Sequence, residues 1–251
     1  MSNELRIRLV LFAVAAALAS AATAHTDGPH GGTDNESTYA VIGDVKLSLA
    51  GSDKPVKDAS KVVVWLSPHD QVPSAQSPPK KYRMVQHNKM FEPALLVVPV
   101  GSMVDFPNLD PWFHNVFSLY QGKRFDLGLY EAGAHKEIRF DREGAAYIFC
   151  NIHPEMAAVI MTVDSQWYAV SDKAGRVSIQ NVPAGKYTLH IWYDNATPQA
   201  LSAQERPVDI EVDNVNLPVI SIPVTQHSIE KHKNKYGRDY DSKAGATDYE
   251  N

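Results

Sequence analysis

From Tyr39 onward, apolar and polar residues alternate in short runs separated by turn-forming residues, and no segment carries a sustained helical period with caps. The clearest run sets Tyr187, Leu189, Ile191 and Tyr193 against Thr188, His190 and Trp192, the period of two expected of a strand with one buried face. Comparable β-branched runs cover residues 41–49, 61–66, 95–100, 136–140, 146–149, 158–163 and 176–179. This pattern predicts an all-β sandwich.

Both ends of the chain break the pattern. Arg6 and Arg8 precede an apolar run over residues 9–22, closed by Ala22-Thr23-Ala24, the small-x-small form that signal peptidase accepts. Residues 1–24 are therefore expected to be a signal peptide, with export to the periplasm and a mature chain beginning at His25. The apolar run is shorter than the roughly 18–20 residues that span a bilayer, so no stable membrane anchor is expected. Residues 25–37 are polar and rich in breakers and read as a flexible leader, and residues 226–251, almost without apolar content, read as a flexible tail.

Composition narrows the function. With 44% hydrophobic residues the chain can bury one ordinary core or two small ones. The formal charge of −5 becomes −6 once Arg6, Arg8 and Glu4 are removed, which disfavours nucleic acid and anionic membrane as partners. Cys150 is the only cysteine, so an exported chain carries a thiol that no internal disulfide can use. A soft metal ion accounts for that thiol.

The segment Phe149-Cys150-Asn151-Ile152-His153-Pro154-Glu155-Met156 supplies a thiolate, an imidazole and a thioether within seven positions. Pro111-Trp112-Phe113-His114-Asn115-Val116 supplies a second imidazole 36 positions before the cysteine. His114, Cys150, His153 and Met156 together are the ligand set of a trigonal His₂Cys copper centre with a long axial methionine. Cys150 is expected to end a strand, a tight loop stiffened by Pro154 returns the chain, and His114 is expected to reach the site from across the sandwich. Asn115 is expected to clamp the backbone of the cysteine loop. The competing reading, a metal-free core with Cys150 as a small buried hydrophobe, leaves the loop spacing and His114-Asn115 unexplained.

Phe91-Glu92-Pro93, Val104-Asp105-Phe106-Pro107-Asn108, His114-Asn115-Val116, Gly144 and Cys150-x-x-His153-Pro154-x-Met156 resemble the blue-copper cupredoxins, and the short ligand loop is most similar to that of amicyanin. The resemblance covers residues 82–164. It implies a Greek-key β-sandwich holding one copper ion per chain, cycling between Cu+ and Cu2+, with His114, Cys150 and His153 equatorial and Met156 axial. The longer chain resembles plastocyanin-like and methylamine-utilisation proteins. Residues 171–189, with Gly43-Asp44-Val45 and Val62-Val63-Val64-Trp65, resemble a carboxypeptidase regulatory-like β-sandwich. That second, small sandwich would be split into residues 38–81 and 165–225 by the inserted cupredoxin, and would act as a scaffold without chemistry of its own.

The function expected is that of a one-electron carrier, with a cytochrome or dehydrogenase as redox partner. The alternative is a copper-tolerance, sequestration or delivery protein with a copper donor or acceptor as partner. His25, as an amino-terminal histidine, together with His30 offers a secondary copper site in support of that alternative. An enzyme is not expected: no His-x-His pair is present for a further copper site, and a fourth ligand closes the metal to substrate. Met161, Met103 and Met90 are read as packing residues. His69, His87, His135, His227 and His232 are read as facing water, His190 as a surface or interdomain residue, and Asp126 as a turn residue that bonds backbone.

Overall fold

The β-branched runs that alternate or crowd together fold as strands because each can bury one face only against another sheet. The computed structural model describes residues 38–52, 54–70, 81–119, 122–211, 215–225 and 232–240, all within one compact unit, Glu36–Asn251. Residues 1–37, which hold the expected signal peptide and leader with His25 and His30, lie outside the described residues, as does His227. No helix among the described residues is long and apolar enough to cross a membrane.

The fold is an all-β sandwich architecture whose strands enclose two main apolar clusters. In the first, β1 (Thr38–Leu49) lies between β14 (Arg176–Pro183), antiparallel, and the parallel β17 (Val215–Asn216) and β18 (Ile220–Val224). A second sheet runs in the order β13 (Tyr168–Val170), β2 (Val63–Pro68), β15 (Gly185–Trp192), β16 (Arg206–Ile210). Val45, Leu47, Leu66, Ile179, Tyr187, Leu189 and Ile222 are buried in the core that these strands share. A short helix, α1 (Pro198–Ser202), is capped by the Thr197 hydroxyl, which accepts from the Ala200 N–H.

The second cluster carries the candidate site. A five-stranded sheet runs β6 (Leu95–Pro99), β12 (Ala157–Val163), β11 (Gly144–Phe149), β8 (His114–Ser118), β9 (Phe125–Tyr130). A three-stranded sheet runs β10 (His135–Phe140), β7 (Ser102–Pro107), β3 (Lys81–Arg83), and β4 (Val85–His87) pairs with β5 (Met90–Glu92) as a hairpin. Met84, Val104, Phe106, Phe140, Ile148, Cys150, Met156 and Ile160 are buried together. A smaller cluster of Val63, Val97, Met161 and Val163, with Trp65, Tyr168 and Trp192 packed on it, joins strands of the two larger cores.

Met161 is in the core as its sequence position suggests, but Met90 is 49% exposed at the turn end of the β4–β5 hairpin, opposite His87. β5 alternates, burying Phe91 and turning Met90 and Glu92 outward.

Candidate metal centre

The loop before β8 is shaped by a buried asparagine. Asn108 Nδ2 donates to the Trp112 carbonyl at 2.8 Å and its Oδ1 accepts from the Asp110 N–H at 3.0 Å, folding residues 108–112 tightly so that β8 opens on His114. β11 ends on Phe149, and Cys150 follows at once. The return loop is closed by two main-chain bonds, from Cys150 N to Met156 O at 3.3 Å and from Met156 N to His153 O at 3.1 Å. β8 is the immediate neighbour of β11 in the same sheet, with Phe117 opposite Phe149. His114 thus reaches the site from the adjacent strand rather than from the facing sheet: neighbouring strands lie only about 4.8 Å apart, within reach of one imidazole.

Three donor atoms converge. Cys150 Sγ lies 3.8 Å from His114 Nδ1 and 3.6 Å from His153 Nδ1, and the two ring nitrogens are 3.1 Å apart. A point in their common plane is about 2.0 Å from all three, close to the roughly 2.0–2.1 Å and 2.3 Å at which imidazole and thiolate hold a d-block cation such as zinc. His114 and Cys150 are fully buried and His153 is half-buried, so the site is closed below and opens at His153. Met156 is fully buried in the same apolar cluster as Cys150.

The protonation pattern suits a cation. Burial pushes the Cys150 thiol up, opposed by the main-chain N–H groups of Asn115, Ile152 and His153, which face the sulfur. A metal ion would take the place of that proton while the three N–H groups steady the thiolate. Burial, then the neighbouring His114 and Lys89, bring His153 down to about 4, and burial also lowers His114. Both rings are therefore neutral near pH 7 and offer lone pairs.

The sequence reading missed Asp110. It is 3% exposed, and its Oδ2 lies 2.8 Å from His114 Nε2. A carboxylate only accepts, so Nε2 carries the ring proton and Nδ1 is left as the donor atom toward the site. The same carboxylate accepts the N–H groups of Asn88 at 2.7 Å and Lys89 at 2.9 Å, the two left-handed residues of the β4–β5 turn. Burial would raise this carboxyl, but the Lys89 N–H, His114 and the Asn88 N–H outweigh it and hold it below the ordinary range. The signal available in the sequence was an acid four positions before the histidine, in a Pro-containing loop too irregular to fix which way it faced.

Asn115 does not act as expected. Its side chain donates from Nδ2 to Asp126 Oδ1 at 2.8 Å, across to β9, and the contact with the cysteine is made by its main-chain N–H. In a strand adjacent to β11 the side chain of residue 115 alternates away from that of His114. Asp126 bonds backbone, as read, accepting the Gly128 N–H at 2.9 Å.

Part of the tail also departs from expectation. Residues 232–240 lie against the cysteine loop, and His232 is half-buried rather than facing water, because its ring stacks on Phe149 with centroids 3.9 Å apart. His69, His87 and His135 are exposed, and His190 stacks on Trp65 at 5.1 Å. A second cluster, Asp105, His135 and Glu137, lies on the β7–β10 surface, where Arg83 pairs with Asp105 and Lys81 with Glu137; its charge is met by protein cations.

No protein-family model matches the chain, and no curated protein matches it. Among solved structures, a copper-containing nitrite reductase from Thermus scotoductus SA-01 aligns at 25% identity over 38% of this chain and 25% of its own, with a TM-score of 0.33. This chain therefore spans about a quarter of that enzyme's length. A purple cupredoxin from Nitrosopumilus maritimus aligns at 23% identity over 33% of this chain and 99% of its own, with a TM-score of 0.30. A reduced amicyanin variant aligns at 16% identity over 40% of this chain and 98% of its own, with a TM-score of 0.32.

Proposed function

We propose that this protein holds one copper ion per chain through His114, Cys150 and His153, with Met156 as the weak axial ligand, and serves as a one-electron carrier in the periplasm. The reading is supported above all by the triangle of Nδ1, Nδ1 and Sγ atoms, whose sides suit one small soft cation. A thiolate and a thioether favour Cu(I), and two imidazoles suit Cu(II). Held rigidly by β8, β11 and the closed return loop, such a set changes little between the two states. A closed four-ligand site without an open position favours electron transfer over catalysis. The half-buried edge of His153 would be the route to a redox partner such as a cytochrome or dehydrogenase. Residues 38–81 and 165–225 are taken as one split scaffold module around a cupredoxin-type unit at 82–164, a reading supported by the pairing of β1 with β14 and β18.

The test is visible and electron paramagnetic resonance spectroscopy of the copper-loaded protein, with Cys150→Ser beside it. The wild type should show an intense thiolate-to-copper band and the serine variant none, since a hydroxyl is not a soft anionic donor. A serine variant that retained the wild-type absorption would refute the ligand set. If the band is present but reduction and reoxidation by a periplasmic cytochrome are slow while Cu(I) is held very tightly, copper sequestration or delivery is the role instead.

A further inference from the structure

β11 places Ile148 and Cys150 on the core face of its sheet, so Phe149 and its neighbour Phe117 on β8 point to the other side. On an outer sheet face such rings would meet water, yet Phe149 is only 2% exposed and Phe117 is fully buried. Part of the cover comes from the far end of the chain, where the ring of His232 lies flat on Phe149, 25° from parallel.

That segment has its own local order. Asn234 Oδ1 accepts the N–H groups of Tyr236 and Arg238, at 3.0 and 3.1 Å, and its carbonyl accepts from Gly237 at 2.9 Å, in a turn that Gly237 enters at a φ of 74°. From this turn the segment grips the ligand loop at two points and β9 at a third. The Tyr240 hydroxyl donates to the Cys150 carbonyl at 2.8 Å. The Lys235 N–H donates to Asn151 Oδ1 at 3.0 Å. Lys235 Nζ donates at 2.8 Å to Oδ2 of Asp126, whose other oxygen holds Asn115. Tyr240 and His232 also meet each other, with the hydroxyl 3.1 Å from His232 Nδ1.

We infer that residues 232–240 are a positioning strap for the cysteine loop, and that Tyr240 and His232 hold the Cys150–Met156 turn closed and so slow the escape of its metal. Cys150 and Asn151 are each bonded by the strap, through the Cys150 carbonyl and Asn151 Oδ1, so opening the loop requires the strap to lift. None of the strap residues offers an atom to the three-donor triangle, and their effect passes through the Cys150 carbonyl and the Asn151 side chain. In its metal-retaining part the inference rests on the copper reading; in its loop-closing part it does not.

Amide hydrogen exchange on the full, metal-free chain tests the loop-closing part. The amides of Cys150 and Met156, which close the loop, should exchange about threefold to tenfold faster in Tyr240→Phe and in His232→Ala, the range expected for one lost neutral hydrogen bond or ring contact. Amides of Leu189 and Ile191, in the distant core, serve as the internal reference and should not change. Unchanged protection of Cys150 and Met156 in both variants would overturn the strap. In copper-loaded protein the same variants should release copper to a chelator about threefold to tenfold faster, and release at the wild-type rate would overturn the retaining role. Failure of the copper reading is seen separately, as a wild type that takes up copper without the thiolate band, and it leaves the exchange experiment intact.

Discussion

At the scale of single residues, the site depends on a carboxylate that is not a metal donor. Asp110 ties His114 Nε2 to the two N–H groups of the β4–β5 turn, so one buried side chain satisfies three donors. In Asp110→Ala those donors lose their partner in a place that water reaches poorly, and stability should fall by roughly 2–3 kcal/mol. The His114 ring is then free to turn or change tautomer, and affinity for copper should fall about 10–100-fold. Urea denaturation and competition with a chelator measure the two effects, and an alanine variant with wild-type copper affinity would show that Asp110 does not orient the ring. The convergence of His114, Cys150 and His153 was legible in the sequence because two of them share one short loop and the third sits at a strand start. Asp110 was not, since its role comes from a turn more than 20 positions away. Asn115 was placed near the site but misassigned, because which part of a residue faces the sulfur depends on strand pairing.

At the scale of elements, all the runs that were read as strands from periodicity are strands, among them β1, β2, β6, β10, β11, β12, β14 and β15. The ones that escaped include β7, β8 and β18, which no run covered, and two kinds with a plain reason. β3, β4, β5, β13 and β17 have only two or three residues, too few to display a period. β9, with Asp126 and Gly128, and β16, with Arg206 and Asp209, break their apolar runs at a sheet edge, and their order comes from the partner strand. Turns are more directly encoded. Between β13 and β14, Asp172 Oδ1 accepts the N–H groups of Ala174 and Arg176, and Gly175 stands at a φ of 83°, with its carbonyl bonded to Val45 N at 2.7 Å. A Cβ there would lie 2.1 Å from the Val45 oxygen, whereas one on Gly51, at a φ of 75°, meets nothing. Both Gly→Ala changes incur the same left-handed backbone penalty, so the difference between them isolates the crowding. Gly175→Ala should therefore be less stable than Gly51→Ala by about 1–3 kcal/mol in urea denaturation, and equal losses would mean that β1 shifts aside without cost.

At the scale of the molecule, the two larger cores are not independent. The chain builds β1 and β2, crosses to the site-bearing strands, and returns through β13 to complete the first core, so the ends of that core are joined through the second. Val63 of β2 and Val163 of β12 are both fully buried in the cluster between them, and Trp65 and Trp192 pack over it. Unfolding either core alone would strip the partner from this apolar layer, at a cost of about 25 cal/mol per Å² of apolar surface exposed. The physical expectation is a single cooperative transition. Followed by nuclear magnetic resonance in increasing urea, the amide signals of Leu189 in the first core and Ile148 in the second should disappear along one curve. Curves with separate midpoints would mean that the layer transmits little stability, and that the strands flanking the ligand loop are an appendage rather than the frame that keeps β8 and β11 in register.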